Sequence, residues 1–231
     1  MSPALSRIDE HLDEWGSRLF NVSTSPSLRL RSVSTFVLVG QACEHRRRTQ
    51  HAIGSRHLCA QITDCSPHTG FFLFEFLRYG MSGEEFCSRP DTFLGQLPKD
   101  FRYAVEIRNA GLLVSDYRKV LEHHGVAHVY NHWSYMPPLP DQHQRMEDRF
   151  TAHFAVLRLL TPLKMTYEAA KKRAEPYTKI VEELPEMRRD TIELVKKAVE
   201  EKRKAYVLVN NRSEGNAPLT IHALVKALQT G

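Results

Sequence analysis

Arg102–Asn131 (RYAVEIRNAGLLVSDYRKVLEHHGVAHVYN) decides the fold, because it contains an apolar run, a helical pattern and a second apolar run in succession. Five such runs occur, each ending in polar or charged residues: Phe71–Phe76, Arg102–Arg108, Val126–Asn131, Phe154–Leu160 and Ala205–Asn211. Strands that alternate with helices predict βα units and a parallel sheet. In barrels built from such units the chemistry lies at the carboxyl ends of the strands. We therefore expect a functional site at that end, although the pattern names no reaction.

The segments between these runs have helical signals. Ser82–Leu97 has a serine cap and an acidic first turn, and Ser115 or Asp116 begins a helix that ends at His124, before Gly125. Further helices are predicted over Thr166–Leu184, Pro185–Lys204 and Leu219–Leu228.

Length and composition are those of an ordinary globular protein. The 231 residues suit one large α/β domain, and the net charge of +5 and pI of about 9.0 are only mildly basic. Basic residues such as those in Lys196–Lys204 are interrupted by glutamates, so nucleic acid is an unlikely partner. No apolar run is long enough to cross a membrane, and Met1–Phe20 is too acidic for a secretory leader. We expect a cytoplasmic protein without a disulfide framework.

The N-terminal segment, residues 1–66, differs from the barrel portion, residues 67–231. It contains no lysine and holds three of the four cysteines, and we expect it to be divergent or poorly ordered. Apolar spacing predicts an amphipathic helix over Leu5–Phe20, and the short apolar run Val33–Val39 is a candidate strand. Metal-ligating residue types concentrate near this segment at Cys43, His45, His57, Cys59, Cys65 and His68. Their spacing matches no standard zinc finger or ribbon, so we predict no metal site.

Strand alternation predicts which charged side chains point into the barrel. Side chains two apart share one face, which places Glu106 and Arg108 together on the interior face with Ala104. The same rule places Glu75 and Arg158 on the interior faces of their own strands. A buried charge costs several kcal/mol unless it is paired. Two glutamates that face two arginines would satisfy this requirement.

Two readings of these four residues follow. In the functional reading, Arg108 and Arg158 bind an anionic group such as phosphate or carboxylate, while Glu106 or Glu75 accepts a proton. In the alternative reading, the residues form a closed ion-pair network that fixes the interior and never contacts a substrate.

Two strand-end motifs supply further candidates. Asn131, His132 and Trp133 offer an amide, an imidazole and an aromatic platform for a ring or sugar, with His132 as a candidate acid or base. The second motif is a predicted phosphate-binding turn formed by Asn210, Asn211, Gly215 and Asn216. The alternative for the second motif is ordinary turn chemistry, because Asn and Gly favour loops whether or not a ligand binds, and we favour the ligand role. The proline-containing loop Ser134–Asp141 would lie over the barrel mouth as a stiff lid.

Three segments carry a resemblance to a known family. They are Tyr103–Asn109, His123–His128 and Tyr206–Asn211, the last followed by Gly215-Asn-Ala-Pro218. Together they resemble the later strands of the YecE-like family, domain of unknown function 72. The resemblance covers roughly Pro67 to Leu228 and implies a TIM-type parallel β/α barrel of eight strands. It names no cofactor.

The beginning of the chain departs from the family pattern, since its first three strands are not recognisable. Residues 1–70 are too few for three βα units of about 30 residues each. Either the barrel is incomplete, with five C-terminal βα units, or Ser32–His68 is a divergent or misread stretch. We expect an enzyme that acts on an anionic or phosphorylated small molecule or nucleotide. The alternative is a non-catalytic binding protein, or a barrel remnant whose open sheet edge allows self-association.

Overall fold

A single seven-stranded sheet organises the protein, and a computed structural model describes residues 17–22, 36–42, 69–76 and 90–230. The strands are β1 (Ser17–Val22), β2 (Phe36–Ala42), β3 (Thr69–Phe76), β4 (Tyr103–Ile107), β5 (Ala127–His132), β6 (Phe154–Leu159) and β7 (Lys204–Asn210). All five predicted strands are confirmed as β3 to β7. The candidate strand Val33–Val39 overlaps β2.

Helices connect the strands of the sheet. They are α1 (Ser115–His124), α2 (Leu139–Arg145), α3 (Tyr167–Ala174), α4 (Pro185–Glu200), α5 (Asn211–Glu214) and α6 (Ala217–Thr230). Residues 90–95 are also helical, within the predicted helix Ser82–Leu97. The predicted end of α1 is confirmed, because Gly125 adopts a left-handed φ of 65° and its N–H bonds to carbonyls of the last turn.

The strand order is β1-β7-β6-β5-β4-β3-β2. β2 to β7 pair in parallel, whereas β1 pairs antiparallel with β7. The predicted α/β class and parallel sheet are confirmed. The five strands β3 to β7 form a curled half-barrel, but a complete eight-stranded TIM barrel is not confirmed.

Ring contacts demonstrate how strongly the sheet curls. The ring of Phe71 on β3 lies 5.1 Å from that of Tyr206 on β7 and 5.7 Å from that of Phe154 on β6. In a flat sheet, β3 and β7 would be about 19 Å apart, because neighbouring strands are about 4.8 Å apart. The curl therefore brings side chains from non-neighbouring strands into contact inside the sheet.

The core has two layers that follow the strand alternation. Ala104 and Val129 point into the curl with the three rings, whereas Val105, Ile107 and Tyr130 pack outward beneath the helices. Leu121 of α1 and Leu224 of α6 are fully buried in this outer layer. Covering the outer face with helices leaves the carboxyl ends of the strands available for a site.

Two predicted helices are wrong over part of their length. Ser17–Val22 is a strand, because pairing with β7 overrides the amphipathic spacing of Leu5–Phe20; the rest of that helix lies outside the described residues. The predicted helix Thr166–Leu184 ends at Ala174. The chain then passes through Pro176 and a left-handed Tyr177, and its later amides bond to Glu214 instead of continuing a helix.

The predicted lid Ser134–Asp141 is only partly a loop. Helix α2 begins at Leu139, which is fully buried, and Met136 is also buried. Gln142 donates to the carbonyl of Pro137 at 2.8 Å. These contacts hold the segment against the half-barrel. None of the described helices has the length and apolar character that a membrane span requires.

Candidate functional site

Neighbouring strands place the predicted interior residues side by side. Glu75 on β3 is the register partner of Glu106 on β4, and Asn131 on β5 is the register partner of Arg158 on β6. Arg108 follows β4 directly. All five residues are buried, and they lie near the carboxyl ends of their strands. The predicted inward orientation of Glu106 and Arg108 is therefore confirmed.

Two arginines join the two glutamates, and we call these four residues the strand-end cluster. The Nη2 atom of Arg108 lies 3.0 Å from Oε1 of Glu75 and 3.0 Å from Oε1 of Glu106. The Nη1 atom of Arg158 donates to Oε2 of Glu75 at 3.0 Å and also to Oε2 of Glu106. Each carboxylate thus contacts both guanidinium groups, which explains how two glutamates can lie opposite each other in the sheet.

The cluster has an accessible edge and a closed floor. The side chains of Glu75 and Arg108 are each 10% exposed, whereas that of Glu106 is fully buried. The Arg158 side chain is only 4% exposed. A small molecule that approaches from solvent would therefore meet Glu75 and Arg108 first.

An aromatic ring borders the cluster, and several buried polar atoms in or beside it have no hydrogen bond. The guanidinium carbon of Arg108 lies 4.7 Å from the ring centroid of Trp133, which is partly exposed. The Nε atoms of Arg108 and Arg158 are buried and have no hydrogen-bond partner among the described residues. The same holds for Oδ1 of Asn131, whose Nδ2 donates to the carbonyl of Ile107 at 3.0 Å. Oε1 of Glu106 contacts Arg108 as an ion pair but also has no hydrogen bond. Two donors and two acceptors at the cluster thus remain without a hydrogen bond among the described residues.

The electrostatics of the cluster favour its charged forms. Burial opposes ionisation of Glu75, but Arg108 and Arg158 outweigh it, so the pKa of Glu75 lies below its ordinary value. Burial also opposes the charge of Arg158, but Glu106 and Glu75 outweigh it and raise the pKa of that guanidinium. At neutral pH Glu75 and Arg158 therefore form an ion pair in their charged states.

His132 lies on the other face of β5 from Asn131. Its Nδ1 atom donates to the carbonyl of Thr161 at 2.9 Å. Burial lowers the pKa of His132 to about 4, so the imidazole is neutral at pH 7. The structure does not bring His132 together with the strand-end cluster, and its role as an acid or base stays a prediction.

The four residues of the predicted phosphate turn separate into two groups. Asn210 is buried and follows Tyr206 and Leu208 on the interior face of β7 by alternation, while its Oδ1 accepts from the N–H of Arg212. The other three are Asn211, Gly215 and Asn216. Asn211 accepts from the N–H of Ala217 at 2.9 Å, and Asn216 accepts from the N–H of Leu219 as the cap of α6.

Turn chemistry accounts for the contacts of this second group. Gly215 adopts a φ of 117°, and a Cβ atom there would lie 2.5 Å from the carbonyl oxygen of Lys179. Only glycine fits this position without strain. Ligand binding by Asn211, Gly215 and Asn216 stays a prediction.

Glu214 is a structurally important residue that the sequence analysis missed. Its carboxylate is fully buried and accepts hydrogen bonds from the N–H of Leu184 at 2.6 Å and from Thr220 at 2.8 Å. It also forms a 2.8 Å ion pair with Arg188. A lone acidic residue beside Gly215 in an asparagine-rich turn was the only available signal.

No set of three or more histidine, cysteine, aspartate or glutamate side chains forms a metal site within the described ranges. The cysteines and histidines between Cys43 and His68 lie outside the described residues.

A family model described as "Protein of unknown function DUF72" matches residues 35–231. The chain belongs to this family. The predicted membership of domain of unknown function 72 is confirmed, and the DUF72 match reaches upstream of Pro67 to include β2. The comparisons do not bear on the narrower YecE-like name.

Comparison with solved structures supports the DUF72 fold. The chain is similar to a DUF72 family protein from Thermotoga maritima, with a TM-score of 0.51 and 16% identity over 84% of this chain and 74% of that one. At this level of identity the likeness concerns the fold alone. No curated protein matches the chain.

Proposed function

We propose that this DUF72 protein binds a small anionic molecule at the strand-end cluster. The observation that carries the proposal is the pair of buried arginines, Arg108 and Arg158, whose Nε donors have no partner among the described residues. Buried guanidinium groups with unused donors suit phosphate or carboxylate oxygens. Arg108 also lies at the accessible edge, so a ligand can contact it without displacing the buried side chains of Glu106 and Arg158.

The groups beside Arg108 suit a ligand that carries a ring or hydroxyl groups in addition to its anion. Trp133 offers a partly exposed aromatic face next to Arg108. Asn131 offers an unused Oδ1 acceptor. A phosphorylated sugar or a nucleotide has both kinds of group, so we place these molecules first among the candidates.

We further propose that the protein is an enzyme in which Glu75 accepts a proton from the bound molecule. Between the two glutamates, Glu75 is the one at the accessible edge, whereas Glu106 is closed off beneath Arg158. Proton transfer requires the acceptor to come within hydrogen-bond distance of the reacting group. Glu106 then has the role of holding both arginines in position.

A thermal-shift screen against phosphorylated metabolites and nucleotides tests the binding proposal. A ligand should raise the melting temperature of the wild-type protein and of Arg102→Ala, but not of Arg108→Ala. Arg102 is a matched control because it lies just before the same strand, is exposed, and donates to the hydroxyl of Tyr206 at the opposite end of the barrel. A ligand that stabilises Arg108→Ala as strongly as the wild type would contradict the proposed site.

A non-catalytic function is the second candidate. Its supporting observation is that both carboxylates of the cluster already contact both arginines, so the four charges are paired without a substrate. Such a protein could also self-associate through a sheet edge. Size-exclusion chromatography with light scattering tests whether the protein is such a remnant, because a monomer with a cooperative melt argues against a barrel remnant.

A cytoplasmic location remains a prediction that cell fractionation would check.

A further inference from the structure

Charge balance constrains how an anion can enter the strand-end cluster. Two carboxylates and two guanidinium groups give the cluster a net charge of zero when all are ionised. An added anion leaves one uncompensated negative charge in a largely buried site, which is costly. Either the anion is excluded or another charge changes at the same time. A proton is the smallest cation that can restore the balance.

We propose that an anion binds at this site together with one proton, and that Glu75 takes up the proton. This inference rests on the proposed function. In the complex, Arg108 turns its contacts from Glu75 towards the anion, while Arg158 and Glu106 remain paired. One proton then neutralises the Glu75 carboxylate, so the complex again has no net charge. An acidic substrate supplies this proton itself, whereas an anion that carries no proton takes it up from solvent.

The surroundings of Glu75 support its assignment as the proton acceptor. Glu106 on β4 and Arg108 just after β4 contact or adjoin it, and Arg158 faces it from β6. The register partner of Glu75 on β2, Gln41, and Asn131 on β5 carry no charge. Glu75 shares the accessible edge with Arg108, so both the proton and the anion can reach it. Glu106 has no exposed surface and keeps Arg158 as its partner.

The pKa of Glu75 is consistent with this assignment. Burial raises the pKa, and only the attraction of Arg108 and Arg158 holds it below the ordinary value. An anion that engages Arg108 weakens one of these attractions, while the burial remains. The pKa of Glu75 must then rise, and the carboxylate becomes a better proton acceptor as a result of ligand binding.

Calorimetric titration with methanesulfonate tests the inference. This tetrahedral monoanion keeps its charge between about pH 4.5 and 7, so any pH dependence belongs to the protein. Titrations in two buffers with different ionisation enthalpies count the protons exchanged. We expect uptake of close to one proton per anion. The affinity should therefore weaken as the pH rises, by about tenfold per pH unit over the steepest part of this range.

The variant Glu75→Gln removes the titrating group but keeps its shape. We expect it to bind methanesulfonate more tightly than the wild type at pH 7, without proton uptake and with little pH dependence. Arg108→Ala should lose binding, and Arg102→Ala should behave as the wild type. If Glu75→Gln does not fold, the proton count in the wild-type protein still decides the inference.

The failures of the two proposals are distinguishable. Absence of binding by methanesulfonate and by every anion of the thermal-shift screen overturns the proposed function itself. Binding that requires Arg108 but takes up no proton overturns only the inference. Proton uptake that persists in Glu75→Gln also overturns it, because another group must then accept the proton.

Discussion

Glu106 is the residue on which the interior charge balance depends most. Its carboxylate contacts both arginines and has no exposed surface, so water cannot replace it as a partner. Removing one member of a buried ion pair leaves the other charge uncompensated, which costs more than the pair contributes. The stability of the half-barrel should therefore be sensitive to this position.

The substitution Glu106→Gln should lower the free energy of unfolding by about 3–5 kcal/mol, because Arg158 loses a buried counter-charge. Urea denaturation measures the change. Glu193→Gln is the matched control, since Glu193 is exposed on α4, and it should unfold like the wild type. A Glu106→Gln protein as stable as the control would mean that Glu75 alone balances both arginines.

His128 makes the stability of the protein depend on pH, independently of the strand-end cluster. It is 1% exposed on the outer face of β5, where its Nδ1 lies 3.1 Å from the hydroxyl of Tyr117. Burial, with a smaller contribution from His143, lowers the pKa of His128 to about 3. Between this value and the unfolded value of about 6.5, only the unfolded chain binds the proton. The contribution of His128 to stability is therefore complete above pH 6.5 and is lost as the pH falls.

The substitution His128→Gln should flatten the pH dependence of stability between about pH 6 and 4.5 by about 1.4 kcal/mol per pH unit. Urea denaturation at several pH values provides the slope. The exposed histidine His222 on α6 offers the control His222→Gln, which should keep the wild-type slope. Equal slopes for the two variants would mean that His128 is protonated in the folded state.

The period-two rule was sufficient to orient individual residues of the site but not to pair them. It placed Glu75, Glu106, Arg108 and Arg158 on interior faces, and the structure confirms this. The same rule separates His132 from Asn131, although both belong to one strand-end motif. Which arginine contacts which glutamate depends on the curl of the sheet, and no local pattern in the sequence encodes that curl.

At the scale of elements, the predicted strands and helices agree with the structure where local contacts determine the conformation. The five parallel strands and α1 have strong apolar and capping signals, and all were predicted. The helix predicted over 175–184 is wrong because amides of this segment bond to Glu214, a residue about thirty positions further along the chain. The helix predicted over 17–20 is wrong for the same reason, since these residues form β1 and pair with β7, which is distant in sequence. Propensity describes a segment alone, whereas these segments take their conformation from a partner.

The turn after β7 is the element that holds the segment 175–184, and Gly215 is its most constrained position. The substitution Gly215→Ala should destabilise the protein by about 1–3 kcal/mol, because the new Cβ would clash with the carbonyl of Lys179 at a left-handed φ. Thermal and urea denaturation measure the effect. Gly95→Ala should be neutral or stabilising, since Gly95 is helical and exposed and its Cβ would make an ordinary contact. Equal stability of the two variants would argue against a rigid turn.

At the scale of the whole molecule, the curl of the sheet is what creates the site. Arg158 on β6 reaches Glu75 on β3 only because the strands between them bend around a common interior. Rings from β3, β6 and β7 fill that interior beneath the strand-end cluster. Packing at the amino end and ion pairing at the carboxyl end therefore stabilise the same curled arrangement.

The ring of Phe71 should link the stability of β3 to that of β7, the strands on opposite sides of this half-barrel. The substitution Phe71→Ala should cost about 3–5 kcal/mol, because it leaves a cavity among buried rings. Hydrogen exchange should then accelerate in β7 as well as in β3, since Phe71 contacts Tyr206 directly. Phe93→Ala is the control, because Phe93 is only partly buried on the outer layer against Phe74 and should affect β3 without affecting β7. Faster exchange confined to β3 in Phe71→Ala would mean that the helices and the strand-end cluster maintain the curl without the rings.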